Sequence, residues 1–295
     1  MEVIKVTDHG LVATLYKPDE SGKRPAVIVL SGSDGGIAAA SMFAEPLASL
    51  GYAALALAYF AMDGLPRDLV EIPLEYFKRA IDWLRVRPEV DGDRLAIVGM
   101  SRGSEAALLA ASAYPEIRLA VAVVPSHVVW SGIHMEEPRR SAWTRDGASL
   151  PFLSLPRRPK PGEGWRVLFE ESLAANRSGE VSIPIERIQG PVLLLSGTHD
   201  GVWPSATMAD LAMERLTRHA FPYAFEHARY EDAGHAMLSP PYRVGAIANP
   251  WTAEYHRPTW GATFGMPSMG GTPEGNRLAR MDAWPRMTKF LEQNL

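Results

Sequence analysis

The chain contains no cysteine. That absence excludes disulfides, cysteine-ligated zinc, iron–sulfur clusters and a thiol nucleophile together. Long apolar runs are also missing. The longest, Leu50–Met62, falls short of the roughly 20 residues that a membrane-spanning helix needs. Met1–Val6 passes straight into a polar turn, with no positive segment leading into an apolar one, so the expectation is no signal peptide and a cytoplasmic protein. There is no excess of positive charge: 30 Lys and Arg face 34 Asp and Glu, for a net −4, and nothing global suggests a nucleic-acid partner. Neither HExxH nor calcium-loop spacing occurs, so no metal is expected. No repeat or low-complexity tract appears, and the 25 glycines and 24 prolines have no period, which excludes collagen-like structure.

The 295 residues, 46% hydrophobic and 22% charged, have ordinary globular usage. Strand and helix signals alternate along the first half, which argues for a mostly parallel sheet covered by helices on both faces. Val3–Val6 and Leu11–Tyr16 read as an antiparallel hairpin within residues 1–24. Pro25–Leu30 is a continuous apolar run, as a strand buried on both faces requires. Ala53–Tyr59, Leu95–Val98, Leu119–Val124, Val192–Leu195 and Tyr223–Tyr230 read as further strands. Leu74, Phe77, Ile81 and Leu84 recur at helical spacing, with Pro88 and Asp91–Gly92 as the stop. Further helices are expected at Glu105–Ala113, near Ser205–Leu216 and near Leu278–Gln293. Residues 125–190 break the alternation and exceed a plain crossover, which suggests a cap-like insertion on a single domain spanning 1–295.

Gly99-Met100-Ser101-Arg102-Gly103 follows a strand and opens a helix. Two glycines allow a sharp turn and close strand–helix packing, which lifts a serine hydroxyl above the sheet, and the helix N-terminus offers N–H groups to developing negative charge. Ser101 is therefore the candidate nucleophile. A capping serine would be the alternative role. The acid is expected after a later strand and the base after the next. Asp200 lies in Ser196-Gly197-Thr198-His199-Asp200, whereas Pro125-Ser126-His127 after the preceding strand has no acid. His235 follows Glu231-Asp232-Ala233-Gly234, and His199 and His227 are its rivals. Oxyanion donors are expected from the N–H of Arg102 and from the loop Ser31–Gly36, with Ser33 first and Asp34 second. That loop matches neither GxGxxG nor GxxxxGK[ST], so a nucleotide cradle is rejected. Between Pro138 and Arg166, seven basic residues (Arg139, Arg140, Arg145, Arg157, Arg158, Lys160, Arg166) stand against Asp146 and Glu163. Such a stretch suits an anionic substrate, and a solvated loop with scattered charges is the plainer account. Trp130, Trp143, Phe152 and Trp165 either line an apolar pocket or anchor the cap.

From about Pro25 onward the chain resembles the catalytic domain shared by type I acyl-CoA thioesterases and bile acid-CoA:amino acid N-acyltransferases. The carrying stretches are LSGSDGG (Leu30–Gly36), LALAYF (Leu55–Phe60), GMSRG (Gly99–Gly103), IPIERI (Ile183–Ile188), AGHAMLSPPY (Ala233–Tyr242) and MDAW (Met281–Trp284). A looser resemblance runs to dienelactone hydrolases and small carboxylesterases. The resemblance implies an α/β-hydrolase fold and Ser101, Asp200 and His235 as a catalytic triad. It also implies thioester acyl chemistry without a cofactor, on a small-molecule acyl thioester or ester. Members commonly carry an N-terminal β-sandwich, where residues 1–24 here read only as a hairpin. The amino-acid transferases use a cysteine nucleophile, so serine favours water as the acceptor. The alternatives are a carboxylesterase or lactone hydrolase acting on uncharged esters, and an acyltransferase to an amine or alcohol.

Overall fold

A computed structural model describes residues 1–19, 21–133, 138–157, 159–160, 162–176, 179–240 and 268–295. Arg158 of the basic stretch and Pro241–Tyr242 of the SPPY run lie outside them.

Eight strands form one sheet. They are β1 (Glu2–Val6), β2 (Val12–Lys17), β3 (Arg24–Leu30), β4 (Ala53–Ala58), β6 (Val90–Met100), β7 (Ile117–Val123), β10 (Val192–Gly197) and β11 (Phe225–Tyr230). Their order is β1-β2-β4-β3-β6-β7-β10-β11. The hairpin strand β2 pairs antiparallel with both β1 and β4, and every other pairing is parallel. Apolar runs feed both faces at once, because side chains alternate along a strand. Ala26, Ile28 and Leu30 face one core with Leu95, Ile97, Ala120 and Leu194. Val27 and Val29 face the other with Ala96, Val98, Val121 and Leu195.

The first core is closed by α2 (Leu74–Arg85), α3 (Arg102–Ala113) and α5 (Ser205–Arg218). The second is closed by α1 (Ala38–Ser49) and α6 (Pro273–Asn294). Three elements depart from the sequence reading. Helix α1 has no amphipathic signal because most of it is buried and Pro46 lies inside it. Strand β6 begins at Val90 and runs through Asp91–Gly92, since Val90 pairs with Arg24 across a register shift, while α2 already ends at Arg85. Helix α6 begins at Pro273, where the Thr272 hydroxyl accepts the Gly275 N–H at 3.0 Å and proline occupies the first turn.

Between β7 and β10 the chain builds β8 (Trp143–Arg145), β9 (Ala148–Ser149) and α4 (Trp165–Ala175). Strand β8 pairs with β5 (Ile72–Pro73), forming a small second sheet β5-β8-β9. The insertion packs Val128, Trp130 and Val181 with Trp203 and Met208, which follow β10, in one apolar cluster, with Leu153, Phe169 and Leu173 against it.

Candidate active site

The parallel strands end together: Leu30 pairs with Gly99, Met100 with Val123, Val123 with Leu195, and Gly197 with Tyr230. Loops leaving those ends carry Ser33, Asp34, Ser101, Asp200 and His235. Ser101, directly after β6, has φ 53° and ψ −122°, a left-handed conformation that a non-glycine residue adopts only under constraint. The constraint is visible. The Ser101 N–H donates to the Val123 carbonyl at 3.0 Å, and its own carbonyl accepts the Ser104 N–H at 2.9 Å and the Ser104 hydroxyl at 2.6 Å. The flanking glycines permit the turn. A Cβ on Gly99 would collide with the Gly103 carbonyl, and one on Gly103 with the Ser31 carbonyl.

Asp200 is fully buried three residues after β10. Its Oδ1 accepts the N–H groups of Val202 (2.9 Å) and Trp203 (3.3 Å), and its Oδ2 accepts the Ser205 hydroxyl at 2.7 Å. His235, five residues after β11, sets Nδ1 2.9 Å from Oδ2 and 3.0 Å from Oδ1. Nδ1 is thereby the protonated nitrogen and Nε2, across the ring, the acceptor. The structure brings Asp200 and His235 together and puts Ser101 on the same sheet edge. Among the described residues no hydrogen bond joins the Ser101 hydroxyl to His235, and such contacts are often long before substrate binds.

Four features escaped the sequence reading. The Arg166 guanidinium on α4 donates to the carbonyls of Thr198 (3.1 Å) and Asp200 (3.0 Å), tying the insertion to the acid loop. The Met269 carbonyl accepts both the Gly201 (3.3 Å) and His235 (2.7 Å) N–H groups, so a segment before α6 staples the two loops. Ser205 and Trp203 buttress Asp200 and His235, with the Trp203 ring edge-on to the imidazole at 5.9 Å. Glu105 is a fully buried carboxylate in the first turn of α3. The only sequence signals were the Thr-Pro helix start after Gly270–Gly271 and an acid on an otherwise apolar helix.

The rival histidines have other partners. His199 is exposed and meets Asp232 at 3.1 Å. His227 joins a second Ser–His–Asp chain: its Nε2 is 2.7 Å from the Ser196 hydroxyl and its Nδ1 3.1 Å from Asp210. Ser196 is fully buried, so no substrate reaches it.

On the oxyanion side, Arg102 is the first residue of α3, and the first N–H groups of a helix have no intrahelical acceptor. The loop after β3 passes close to the nucleophile: a Cβ on Gly32 would stand 3.1 Å from Ser101 Cβ and 3.4 Å from Asp34 Oδ1. Ser33 is half-exposed there, and the Asp34 residue reaches solvent. Surrounding protein nevertheless pushes the Asp34 carboxyl above its ordinary range, against backbone N–H groups that pull it down. The buried Tyr59 hydroxyl fixes the loop by donating to the Ser31 carbonyl at 2.8 Å.

Three guanidiniums of the basic stretch are paired with carboxylates. Arg140 meets Glu71 at 2.9 Å, Arg157 holds Glu163 bidentately and Glu171 at 2.8 Å, and Arg166 meets Glu170 at 2.7 Å. Three of those four carboxylates lie outside the stretch whose charge stands out in sequence. Among the described residues no cluster of three or more metal-ligating side chains occurs, and no helix is long and apolar enough to cross a membrane.

A family model described as BAAT / acyl-CoA thioester hydrolase C terminal matches residues 72–295. The chain is 30% identical to acyl-coenzyme A thioesterase 6 of Homo sapiens, over 96% of this chain and 63% of that protein. It is 31% identical to the mitochondrial acyl-coenzyme A thioesterase 2 of Rattus norvegicus, over 99% and 60%. The chain thus spans less than two thirds of the length of these relatives. Among solved structures, a dienelactone hydrolase-like promiscuous phosphotriesterase from metagenomic libraries superposes with a TM-score of 0.56 at 17% identity, covering 96% of this chain and 92% of its own. An α/β hydrolase from a deep-sea metagenome library gives 0.51 at 17% identity, covering 78% and 81%. These likenesses show that the fold is that of an α/β hydrolase.

Proposed function

This chain belongs to the BAAT / acyl-CoA thioester hydrolase C-terminal family, and from that premise we propose that it hydrolyses a small-molecule acyl thioester, of the acyl-CoA kind, through a seryl acyl-enzyme. The observation that carries the reading is the buried Asp200 carboxylate bonded to His235 Nδ1 on the sheet edge that also bears the strained Ser101.

In this mechanism the Ser101 hydroxyl oxygen attacks the acyl carbon and its proton passes to His235 Nε2. Asp200 holds the resulting imidazolium by Nδ1–H. The carbonyl oxygen, now anionic, is met by the N–H groups of Arg102 and Ser33, with Asp34 N–H as the second candidate in that loop. Collapse breaks the carbon–sulfur bond, and the leaving thiolate takes the proton from His235. Water then attacks the acyl-enzyme and gives a proton to the same Nε2; the bond from the acyl carbon to Ser101 Oγ breaks, Oγ takes that proton back, and the carboxylic acid leaves. Acyl transfer to water involves no net oxidation and needs no cofactor. The insertion at 125–190 serves as the cap over this edge of a single 1–295 domain, and the location is cytoplasmic. Fractionation of cells expressing the complete gene product tests that placement.

A second reading, an esterase for uncharged esters or lactones, is favoured by one observation: Arg140, Arg157 and Arg166 of the insertion are each paired with carboxylates of the same chain. Matched acyl groups on CoA and on p-nitrophenol separate the two. The thioesterase reading expects the higher kcat/KM on acyl-CoA. A preference of tenfold or more for the simple ester selects the esterase reading. Transfer to an added amine or alcohol at the expense of hydrolysis selects an acyltransferase.

A further inference from the structure

Asp34 enters the mechanism above only through its backbone, yet its carboxylate has a place of its own beside the nucleophile. A Cβ built on Gly32 would stand 3.1 Å from Ser101 Cβ and 3.4 Å from Asp34 Oδ1, so a single atom would touch both residues. In the acyl-enzyme the acyl carbon is bonded to Ser101 Oγ, which is itself bonded to that Cβ. Covalent attachment therefore holds the acyl group near the Asp34 carboxylate, whatever path the rest of the substrate takes.

The loop that carries this acid is firmly held. The Gly35 N–H donates to the Gly32 carbonyl at 3.3 Å, closing a turn whose central residues are Ser33 and Asp34. The Gly36 N–H donates to the Phe60 carbonyl at 3.1 Å, and a Cβ on Gly35 would collide with Phe60 and Ala61. The N–H groups of Gly32 and of Asp34 itself hold the carboxylate. The charges of the elbow and of the acid loop are buried and committed. Asp200 holds His235. The Arg102 guanidinium lies 2.9 Å from the buried Glu105 and donates to the carbonyls of Ser131 (3.1 Å) and Trp130 (3.4 Å), while Glu105 accepts the Trp130 N–H at 2.9 Å. Asp34, by contrast, reaches solvent. Asparagine would serve the turn as well as aspartate does, and a negative charge beside a developing oxyanion opposes it. What the charge supplies is attraction for a cation on the substrate.

We infer that Asp34 is a specificity-determining residue, whose carboxylate selects acyl groups that bear an ammonium next to the reacting carbonyl and rejects those that bear a carboxylate there. The inference rests on the hydrolytic reading above, with Ser101 as nucleophile.

Four CoA thioesters test it. Glycyl-CoA and propionyl-CoA differ by an ammonium in place of a methyl group, and malonyl-CoA and isovaleryl-CoA by a carboxylate in place of an isopropyl group. The carrier is common to all four, so its phosphates cancel in each ratio. Released CoA is read at pH 6.5 with dithiodipyridine, and a chain without cysteine leaves that reagent only the product to report. Asp34→Asn keeps the shape and the backbone N–H and removes the charge. Two unit charges a few ångströms apart near a protein surface are worth about tenfold or more in a rate constant. In the variant the glycyl-to-propionyl ratio of kcat/KM should fall about tenfold, and the malonyl-to-isovaleryl ratio should rise about tenfold. A merely structural role, or an effect on the shared oxyanion, moves all four substrates alike and leaves both ratios alone. Both ratios within twofold of wild type overturn the inference, and so does a shift of both in the same direction. Should Asp34→Asn fail to fold, the wild type decides. Raising salt from 0.1 to 1 M shortens the Debye length from about 10 to about 3 Å, and the glycyl-to-propionyl ratio should fall about threefold or more. A flat ratio overturns the inference. Ser101→Ala separates this failure from that of the underlying function. If Ser101→Ala still hydrolyses propionyl-CoA, the hydrolytic reading fails. If it is inactive while Asp34→Asn keeps the wild-type ratios, only the role of Asp34 fails.

Discussion

Replacing Asp200 by asparagine leaves volume and shape almost unchanged and alters one atom, yet the surrounding bonds dictate which atom. Oδ1 faces two backbone N–H groups, from Val202 and Trp203, which can only donate. Oδ2 faces the Ser205 hydroxyl, which rotates to accept as readily as to donate. In the Asp200→Asn variant the amide oxygen therefore takes the Oδ1 position, and the N–H₂ takes the Oδ2 position, 2.9 Å from His235 Nδ1. A donor there requires Nδ1 to accept, which moves the imidazole proton to Nε2. The base then presents a proton to Ser101 instead of a lone pair. The expected loss is about 10⁴-fold in kcat, on the order of 5 kcal/mol of transition-state stabilisation. The melting temperature should fall only modestly, because the Val202 and Trp203 N–H groups keep their acceptor and the Ser205 hydroxyl turns to accept from the new amide. Steady-state hydrolysis on the CoA and p-nitrophenyl substrates, with a thermal melt on the same preparation, checks both parts. A loss below tenfold in a folded variant refutes the role of Asp200. So would a larger loss from His199→Ala.

Three further outcomes follow from particular contacts. Ser196→Ala removes the hydroxyl from the second Ser–His–Asp chain and should cost about 1–3 kcal/mol of stability while leaving kcat within threefold, as kinetics and urea melts would register. Gly103→Ala drives a Cβ into the Ser31 carbonyl with backbone on both sides of the clash, which should cost about 3 kcal/mol or more. That is a fall on the order of 10 °C in melting temperature. Burial, with help from the Arg215 charge, lowers His127 to about 4 from 6.5, so the folded protein resists protonating it. Its contribution is full above pH 6.5 and drains away as pH falls toward 4, by about 2 kcal/mol between pH 7 and pH 5. Urea midpoints of His127→Gln should show a correspondingly smaller acid loss, and an unchanged loss would contradict the assignment.

The candidate site was largely legible because its chemistry depends on strand ends. Ser101 and Asp200 each follow an apolar run that reads plainly as a buried strand, His235 follows the more polar strand Phe225–Tyr230, and glycines mark the tight elbow. Elements without periodicity were harder to read. Helix α1 is buried along most of its length and contains Pro46, so neither an amphipathic stripe nor a clean boundary marks it. The pairing of the basic stretch was not legible, because Glu71, Glu170 and Glu171, which meet Arg140, Arg166 and Arg157, lie outside it. Glu105, Arg166 and the Met269 carbonyl act through contacts 25 or more residues away, and no local pattern announces such a contact.

The central claim is that Ser101 carries the acyl group. Cleavage after Arg94 and Arg102 releases residues 95–102, a peptide in which Ser101 is the only serine. Incubation with a fluorophosphonate, followed by tryptic digestion and mass spectrometry, should find one adduct per chain on that peptide and none in His235→Ala. An adduct on the peptide bearing Ser33 or Ser196, or an unmodified chain under conditions where the enzyme turns over substrate, would contradict the account.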